Sequence, residues 1–259
     1  MSSLEDQRIV ELFEYADKDA AERLRGVSLT PIHFENQICI LAQYLHDPAD
    51  PEFTTALLTN LLLAVLYGRS QAYTSFRKLS KGILKKSDTI LIAAGGVKGL
   101  EAESLAVYRR YISDAVSKFN GVVFSGGTAN GIPGLTGSVV EELRIAQNRP
   151  IPLIGFMPKA LSPGTVPHPA YTLQIHTDCP TFTIREPITM WAEILAAGIP
   201  PSQVALLGIN GGTISAFEYR LALTLGSKVH ILQGSGRAAD ELLLDEKWLH
   251  CANLVKDSA

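Results

Sequence analysis

The chain has 259 residues, of which 46% are hydrophobic and 19% are charged, so it can bury a sizeable core and is not a disordered polymer. Its formal net charge of −3 argues against charge-driven binding to nucleic acid or an anionic membrane, although a small phosphorylated ligand needs only local positive potential. Cys39, Cys179 and Cys251 are scattered without a CxxC motif, so we expect neither a metal site nor a disulfide framework, and a cytoplasmic protein with reduced thiols. We also expect no cofactor.

Residues 1–82 are predicted to form a small helical region that contributes no strand. Apolar side chains recur at helical spacing in residues 4–24, 33–45 and 53–67. The most apolar stretch, residues 57–67, is too short to span a bilayer, and the N-terminus lacks the apolar segment of a signal peptide, so no membrane insertion is expected. Residues 83–259 would form a second unit, and the helical region would contact a second copy of the chain or an effector partner.

From Asp88 onwards, short apolar runs alternate with amphipathic segments. This pattern is typical of a parallel sheet that is covered by helices on both faces. The predicted strands are residues 89–94, 121–124, 152–157, 204–209 and 228–232. The predicted helices are residues 100–119, a helix that ends near Gln147, and residues 187–197, 216–224, 238–244 and 247–254. The fold class is therefore α/β: a Rossmann-like, doubly wound parallel sheet preceded by a small all-helical N-terminal region.

Residues 158–183 form a long segment with several prolines, which in a compact domain is typical of a functional loop or a lid. A short strand is predicted within it, at residues 171–176. Lys159 and Arg185 flank the segment, and His168 and His176 lie inside it, so each is a candidate for entering a site. A catalytic histidine would need an orienting carboxylate, and Asp178 is the near one in sequence.

Four of the predicted strands run directly into glycine-rich turns. Such a turn leaves backbone N–H groups pointing at one spot, which favours a phosphate, although glycine also serves any tight turn. Parallel strands end along one edge of a sheet, so we expect the four turns to converge there. The candidate ligand-binding residues are Gly95, Gly96 and Val97 in the first turn, Gly126, Gly127, Thr128, Asn130 and Gly131 in the second, Asn210, Gly211, Gly212, Thr213 and Ser215 in the third, and Gly234, Ser235, Gly236 and Arg237 in the fourth.

Side chains near these turns have alternative roles. Glu218, one turn into the helix after the third turn, would accept ribose hydroxyls, act as a base or remain a solvated carboxylate. Arg237 would bind phosphate through its planar guanidinium or pair with a nearby acid such as Asp240. Thr213 or Ser215 is expected to cap the helix that follows.

Two common nucleotide motifs are missing from the sequence. Residues 95–99 do not fit the dinucleotide fingerprint G-x-G-x-x-G, and no acidic residue ends the second strand, where a ribose would be held. The phosphate loop G-x-x-x-x-G-K-[ST] does not occur either. The sequence therefore argues against hydride transfer and against a P-loop nucleotidase.

Three of the turns resemble those of a known superfamily. Gly211-Gly212-Thr213-Ile214-Ser215-Ala216-Phe217-Glu218 resembles the GGxGTxxE motif of the LOG-type nucleotide-processing enzymes. The fourth turn, GSGRAAD at residues 234–240, is similar to a segment of the cytosolic N-terminal domain of TRPM ion channels (the LSDAT branch). The second turn, SGGTANG at residues 125–131, is similar to the GGT-x-x-G turn of that domain. Both branches belong to the SLOG superfamily of Rossmann-like domains, and the resemblance covers about residues 88–244.

The resemblance implies a sensor that binds a nucleotide-derived small molecule, such as ADP-ribose, cyclic ADP-ribose or a related second messenger. The alternative is a LOG-like nucleotide N-glycosidase or phosphoribohydrolase, with Glu218 as its key carboxylate. Ile214 and Ser215 replace a glycine and a threonine of the LOG motif, and Leu221 stands where a second glutamate is expected, which removes an acid/base partner. These departures favour the sensor. A scaffold with a degenerate site is the third reading, and it predicts no nucleotide binding.

Overall fold

The structure, a computed structural model, describes residues 84–96, 102–177, 179–246 and 248–258. The helical region predicted for residues 1–82 and the boundary after it lie outside these residues. Within the described part of the chain, no helix has both the length and the apolar character that crossing a lipid bilayer requires.

Seven strands form one parallel sheet in the described residues. In chain order they are β1 (Ile90–Gly96), β2 (Val122–Ser125), β3 (Leu153–Pro158), β4 (Leu173–Thr177), β5 (Val204–Asn210), β6 (Lys228–Leu232) and β7 (Leu254–Asp257). Their spatial order is β4-β3-β2-β1-β5-β6-β7, and every neighbouring pair is parallel. The predicted α/β, Rossmann-like fold is confirmed, and so are the five main strands and the short strand that became β4.

Five helices of the described chain cover the two faces of the sheet. They are α1 (Ala102–Lys118), α2 (Gly131–Gln147), α3 (Arg185–Ala196), α4 (Thr213–Leu225) and α5 (Arg237–Leu244). On β1, Ile90 and Ile92 pack in one core cluster with α3, α4 and α5, whereas Leu91 packs in the other cluster with α1 and α2. Because both faces are buried there, the central strands β1, β2, β3 and β5 are nearly continuous apolar runs instead of alternating ones.

The helix predicted for residues 247–254 is wrong. Residues 248–250 and 252–253 form turns, and Leu254–Asp257 is strand β7 at the edge of the sheet. The reason is tertiary, because the backbone N–H groups of Val229 and Gln233 on the β6 side donate to the carbonyl groups of Asn253 and Asp257. A pairing partner for β6 therefore outweighs the local helical pattern.

The sheet has one topological switch point, between β1 and β5. The chain runs outward from β1 through β2 and β3 to β4, and then returns to the opposite side of β1 with β5. The β1–β5 pairing extends from Ile90 opposite Val204 to Gly96 opposite Asn210. In open α/β sheets the crevice beyond the strand ends at such a point is where ligands bind.

Candidate functional site

A cavity of about 570 Å³ opens at the carboxyl edge of the sheet, beside the switch point. We call it the switch-point cavity. Its volume lies within the range that is usual for small-molecule sites, roughly 300–1,000 Å³. Of the candidate residues, those in its wall are Gly95, Gly96, Gly126, Thr128, Asn130, Gly131, Gly212, Thr213, Ser215 and Glu218. Three of the four glycine turns thus meet at one place.

The remaining candidate residues that the structure describes lie outside the wall. Val97 is not among the described residues. The others that do not line the switch-point cavity are Gly127, Asn210, Gly211, Gly234, Ser235, Gly236 and Arg237. The fourth turn therefore contributes none of its backbone to the cavity wall. Only the side chain of Arg237 connects this turn to residues of the wall.

The first turn brings β1 and β5 into very close contact. Gly95 has φ +145°, and a Cβ atom at this position would lie 2.0 Å from the carbonyl oxygen of Ile209. Only glycine has neither the steric restriction on φ nor the extra atom. Gly95 therefore fixes the spacing of the two strands at the floor of the cavity.

Two helix N-termini face the cavity, those of α2 and α4. Their N-cap residues, Asn130 and Gly212, make no side-chain cap hydrogen bond, and neither helix has an acidic residue in its first turn. The first N–H groups of a helix have no partner within the helix, and the helix dipole makes this end positive. In α2 the donors are those of Gly131 and Ile132, because Pro133 has no N–H group. The two ends together favour an anion in the cavity.

The prediction that Thr213 or Ser215 caps the helix is wrong. Helix α4 begins at Thr213, its N-cap is Gly212, and no side chain bonds to the free N–H groups. The side chain of Ser215 is buried and would lie 2.4 Å from a Cβ atom at Gly211, so it packs against the preceding turn. The donors at the start of α4 consequently stay available to a ligand.

The fourth turn is held closed by a carboxylate from its own helix. The N–H group of Gly234 donates to Oδ1 of Asp240 at 2.8 Å, and the N–H group of Gly236 donates to Oδ2 at 2.9 Å. The hydroxyl of Ser235 donates to the carbonyl of Leu232 at 2.7 Å and accepts the N–H group of Asn210 at 2.9 Å. These donors stabilise the turn, so the turn does not present them to a phosphate.

Replacement of Asp240 by alanine is expected to destabilise the protein by about 1–3 kcal/mol, because two hydrogen bonds to a charged group are lost. Urea unfolding of Asp240→Ala would measure the loss. The matched control is Glu241→Ala, which removes an exposed carboxylate from the next position of α5 and should change stability by at most about 0.5 kcal/mol. Equal unfolding midpoints of the two variants would contradict the role given to Asp240.

Arg237 reaches the rim of the cavity from α5. A Cβ atom at Gly212 would lie 2.9 Å from Nη2 of Arg237, and one at Gly96 would lie 3.9 Å from Nη1, so the guanidinium covers both glycines. The side chain is exposed and forms no ion pair with any described residue. Arg237 also has φ 47°, the left-handed region that a non-glycine residue occupies at a cost. Such strain is typical of residues that are held in place for function.

Glu218 lines the cavity from α4. It is half-buried, and its carboxyl group has no hydrogen bond or ion pair with the described residues. Burial raises its pKa to about 8, because the charged form is poorly solvated and no cation offsets the loss. At neutral pH the group is therefore mostly the neutral acid.

The opposite wall is apolar, and it includes residues that the sequence reasoning missed. These are Pro133, Phe156, Phe182, Pro187 and Met190. Aromatic and thioether side chains of this kind suit the flat face of a heterocyclic base.

Another residue in the wall that the sequence reasoning missed is the buried Glu186. Its carboxylate accepts the N–H group of Thr183 at 2.7 Å and the hydroxyl of Thr177. The side-chain oxygen of Thr183 in turn accepts the N–H group of Arg185 at 3.1 Å, so Thr183 and Glu186 together cap the start of α3. Burial raises the pKa of Glu186. The sequence signal that could have found this residue is the spacing Thr183-x-x-Glu186.

The long segment after β3 closes onto the second glycine turn. The N–H group of Ala129 donates to the carbonyl of Val166 at 2.8 Å, and that of His168 donates to Gly127 at 3.0 Å. The ring of His168 is buried, and its Nδ1 accepts the N–H group of Ala170 at 3.1 Å. The ring also lies against Gly137 of α2, where an added Cβ atom would be 2.6 Å from Nδ1, and His168 does not line the cavity.

Three other candidates also lie outside the cavity wall. Lys159 and His176 are exposed, and a ring nitrogen of His176 lies 3.3 Å from the carbonyl oxygen of Pro158. Arg185 directs Nη1 at the sulfur of Cys179, 3.6 Å away. The part of the chain that the structure describes contains no group of three or more His, Cys, Asp or Glu residues placed to hold a metal ion.

Comparisons with known proteins give only distant structural similarities. No protein-family model matches the chain, and no curated protein is similar to it. A solved structure titled TM1055 is 17% identical with a TM-score of 0.46, and the match covers 66% of this chain and 92% of that one. A Moco carrier protein from Chlamydomonas reinhardtii is 17% identical with a TM-score of 0.44, over 65% and 88% of the two chains. These values are low, so the α/β fold is assigned from the sheet described above.

Proposed function

We propose that this protein binds a phosphorylated, nucleotide-derived small molecule in the switch-point cavity and acts as a sensor of that molecule. The observation that carries the proposal is the meeting of two uncapped helix N-termini, α2 and α4, in one cavity whose other wall is apolar. Helix N-termini bind phosphate through backbone N–H groups and the dipole. ADP-ribose, cyclic ADP-ribose or a related second messenger is the ligand class that the resemblance to the TRPM branch suggests.

The phosphate and the base of such a ligand each have a matching surface in this proposal. A phosphate would accept N–H groups at the start of α4 and the guanidinium of Arg237, which already lies against Gly212. The base would pack on Phe156 and Phe182. The helical region predicted for residues 1–82 would carry the contacts with a second copy of the chain or with an effector.

A thermal-shift screen tests the proposed function. ADP-ribose, AMP and NAD are compared with adenosine, which has the base and ribose but no phosphate. A ligand at about 100 times its Kd adds roughly 2.7 kcal/mol of stability, enough to raise Tm by several degrees. We expect shifts with the phosphorylated compounds and none with adenosine. The absence of a shift with every phosphorylated compound would favour the degenerate scaffold instead.

Arg237→Ala is expected to weaken binding of the best ligand from that screen by about 1.5–3 kcal/mol, the range for a hydrogen bond to a charged group. The fold should persist, because the side chain is exposed and makes no ion pair with a described residue. Calorimetric titration measures the effect, and Arg149→Ala, which removes an arginine bonded to the end of α1, is the control for a change of net charge. Unchanged affinity in Arg237→Ala would place the phosphate elsewhere.

Hydrolysis of an N-glycosidic bond is a second candidate, because one observation favours it. Glu218 lines the cavity, and its pKa of about 8 lets it hold a proton at neutral pH, as a general acid must. Incubation with AMP, NAD and ADP-ribose followed by chromatography tests this activity. Release of free base by the wild type, and its loss in Glu218→Gln, would establish the enzyme in place of the sensor.

A further inference from the structure

Glu218 is the acidic side chain of α4 that faces the cavity. It lies five residues after Thr213, the first residue of the helix. Glu218 lines the same cavity as Gly212, Thr213 and Ser215, so its carboxyl group shares that cavity with the free N–H groups at the start of the helix. Those N–H groups attract an anion. A charged carboxylate at this position would repel the same anion.

None of the other charged or titratable side chains that the structure describes around the cavity forms a hydrogen bond or an ion pair with Glu218. Glu186 on α3 is engaged with Thr177 and Thr183. Tyr219 on α4 is buried, and its hydroxyl donates to the carbonyl groups of Ala94 and Asn210. Arg237 on α5 covers Gly96 and Gly212 and forms no ion pair with Glu218. Among the described residues, β1, β2 and β3 contribute no titratable side chain to the wall.

We propose that Glu218 recognises the ligand as a neutral carboxylic acid, which donates its hydroxyl hydrogen to a phosphate oxygen of the bound nucleotide. This inference rests on the proposed function. It gives Glu218 the same task as the helix N-termini, which is to donate hydrogen bonds to an anion. It also makes affinity depend on pH, since an ionised Glu218 can only repel the phosphate.

The ionisation of Glu218 is tested first without ligand. Because burial raises the pKa of Glu218 to about 8, the folded state binds a proton that the unfolded state has released, so stability falls as pH rises toward 8. The Tm of the wild type should therefore fall relative to that of Glu218→Gln between about pH 5 and pH 8. Glu241→Gln, an exposed carboxylate, is the matched control and should track the wild type. A pH-independent difference between wild type and Glu218→Gln would overturn the inference.

The donor role is tested by calorimetry with ADP-ribose in buffers of different ionisation enthalpy, at pH 6 and pH 8. ADP-ribose itself does not titrate in this range. At pH 8 about half of Glu218 is ionised, so binding should take up about half a proton, and at pH 6 almost none. Glu218→Gln should exchange no proton, and it should retain most of the affinity because its amide N–H still donates.

The outcomes separate the inference from the proposed function. Release of protons on binding would show that Glu218 acts as an ionised acceptor, and equal proton uptake by wild type and Glu218→Gln would assign the proton to another group. Either result overturns the inference and leaves nucleotide binding established. Failure of ADP-ribose and AMP to bind at both pH values would overturn the proposed function, and the inference with it.

Discussion

Gly212→Val is expected to weaken ligand binding by about 100-fold or more, which corresponds to roughly 2.7 kcal/mol, while the fold persists. Gly212 has φ −112° and ψ −156°, an extended conformation that a β-branched residue adopts readily. The new Cβ atom would lie 2.9 Å from Nη2 of Arg237, at the far end of a flexible side chain, so the guanidinium would be displaced without a backbone shift. The remaining methyl groups would crowd the start of α4, where the phosphate is proposed to bind.

A double-mutant cycle separates these two effects. If Gly212→Val acts only by moving Arg237, the double variant with Arg237→Ala should bind as Arg237→Ala alone does. We expect weaker binding than that, because the valine also blocks the N–H groups of α4. Calorimetry with the best ligand of the screen gives the affinities, and circular dichroism checks the fold. If Gly212→Val bound the ligand with wild-type affinity, the start of α4 would not be part of the binding site.

Gly95→Ala is expected to destabilise the protein by about 3–4 kcal/mol, the sum of a strained φ and an overpacked contact. The added Cβ atom would lie 2.0 Å from the carbonyl oxygen of Ile209, an atom of the adjoining strand backbone that cannot rotate away. The strands β1 and β5 would have to separate at the switch point. The expected fall in Tm is about 10 °C.

Gly164→Ala is the matched control for this variant. Gly164 also has a positive φ, +81°, but a Cβ atom there would have no neighbour within 4 Å. Gly164→Ala should lower the free energy of unfolding only through the strained backbone conformation, by about 1 kcal/mol. Urea unfolding of both variants isolates the contact between the strands. A loss in Gly95→Ala no larger than that in Gly164→Ala would show that β1 and β5 do not depend on this close approach.

The central strands were predictable because they are buried on both faces. In β5 (Val204–Asn210) no residue before Asn210 is polar, so the apolar residues are contiguous and easy to recognise. The short edge strand β7 was missed, because Leu254–Asp257 is only half-buried and contains Lys256 and Asp257. Its strand conformation depends on the pairing with β6, and the local sequence of β7 does not show that pairing.

Much of the glycine pattern was also predictable, but the use of each turn was not. The GSGRAAD segment looks like a phosphate cradle in sequence, yet Asp240 occupies the N–H groups of Gly234 and Gly236. This carboxylate is four to six residues away on the next helix, and the folded turn alone brings it back. The contribution of Arg237 over Gly212 likewise needed the adjacency of β5 and β6.

The sequence by itself determined the α/β class, the parallel strands and the places where the chain turns on glycine, because these follow from residue periodicity and local backbone freedom. Only the tertiary structure decided which turns share a cavity, which apolar side chains face them and whether a polar group is already occupied. Those properties depend on strand order, and the switch between β1 and β5 brings together residues that are more than 100 positions apart. The raised pKa of Glu218 belongs to the same category, since desolvation depends on all the atoms that surround the carboxyl group.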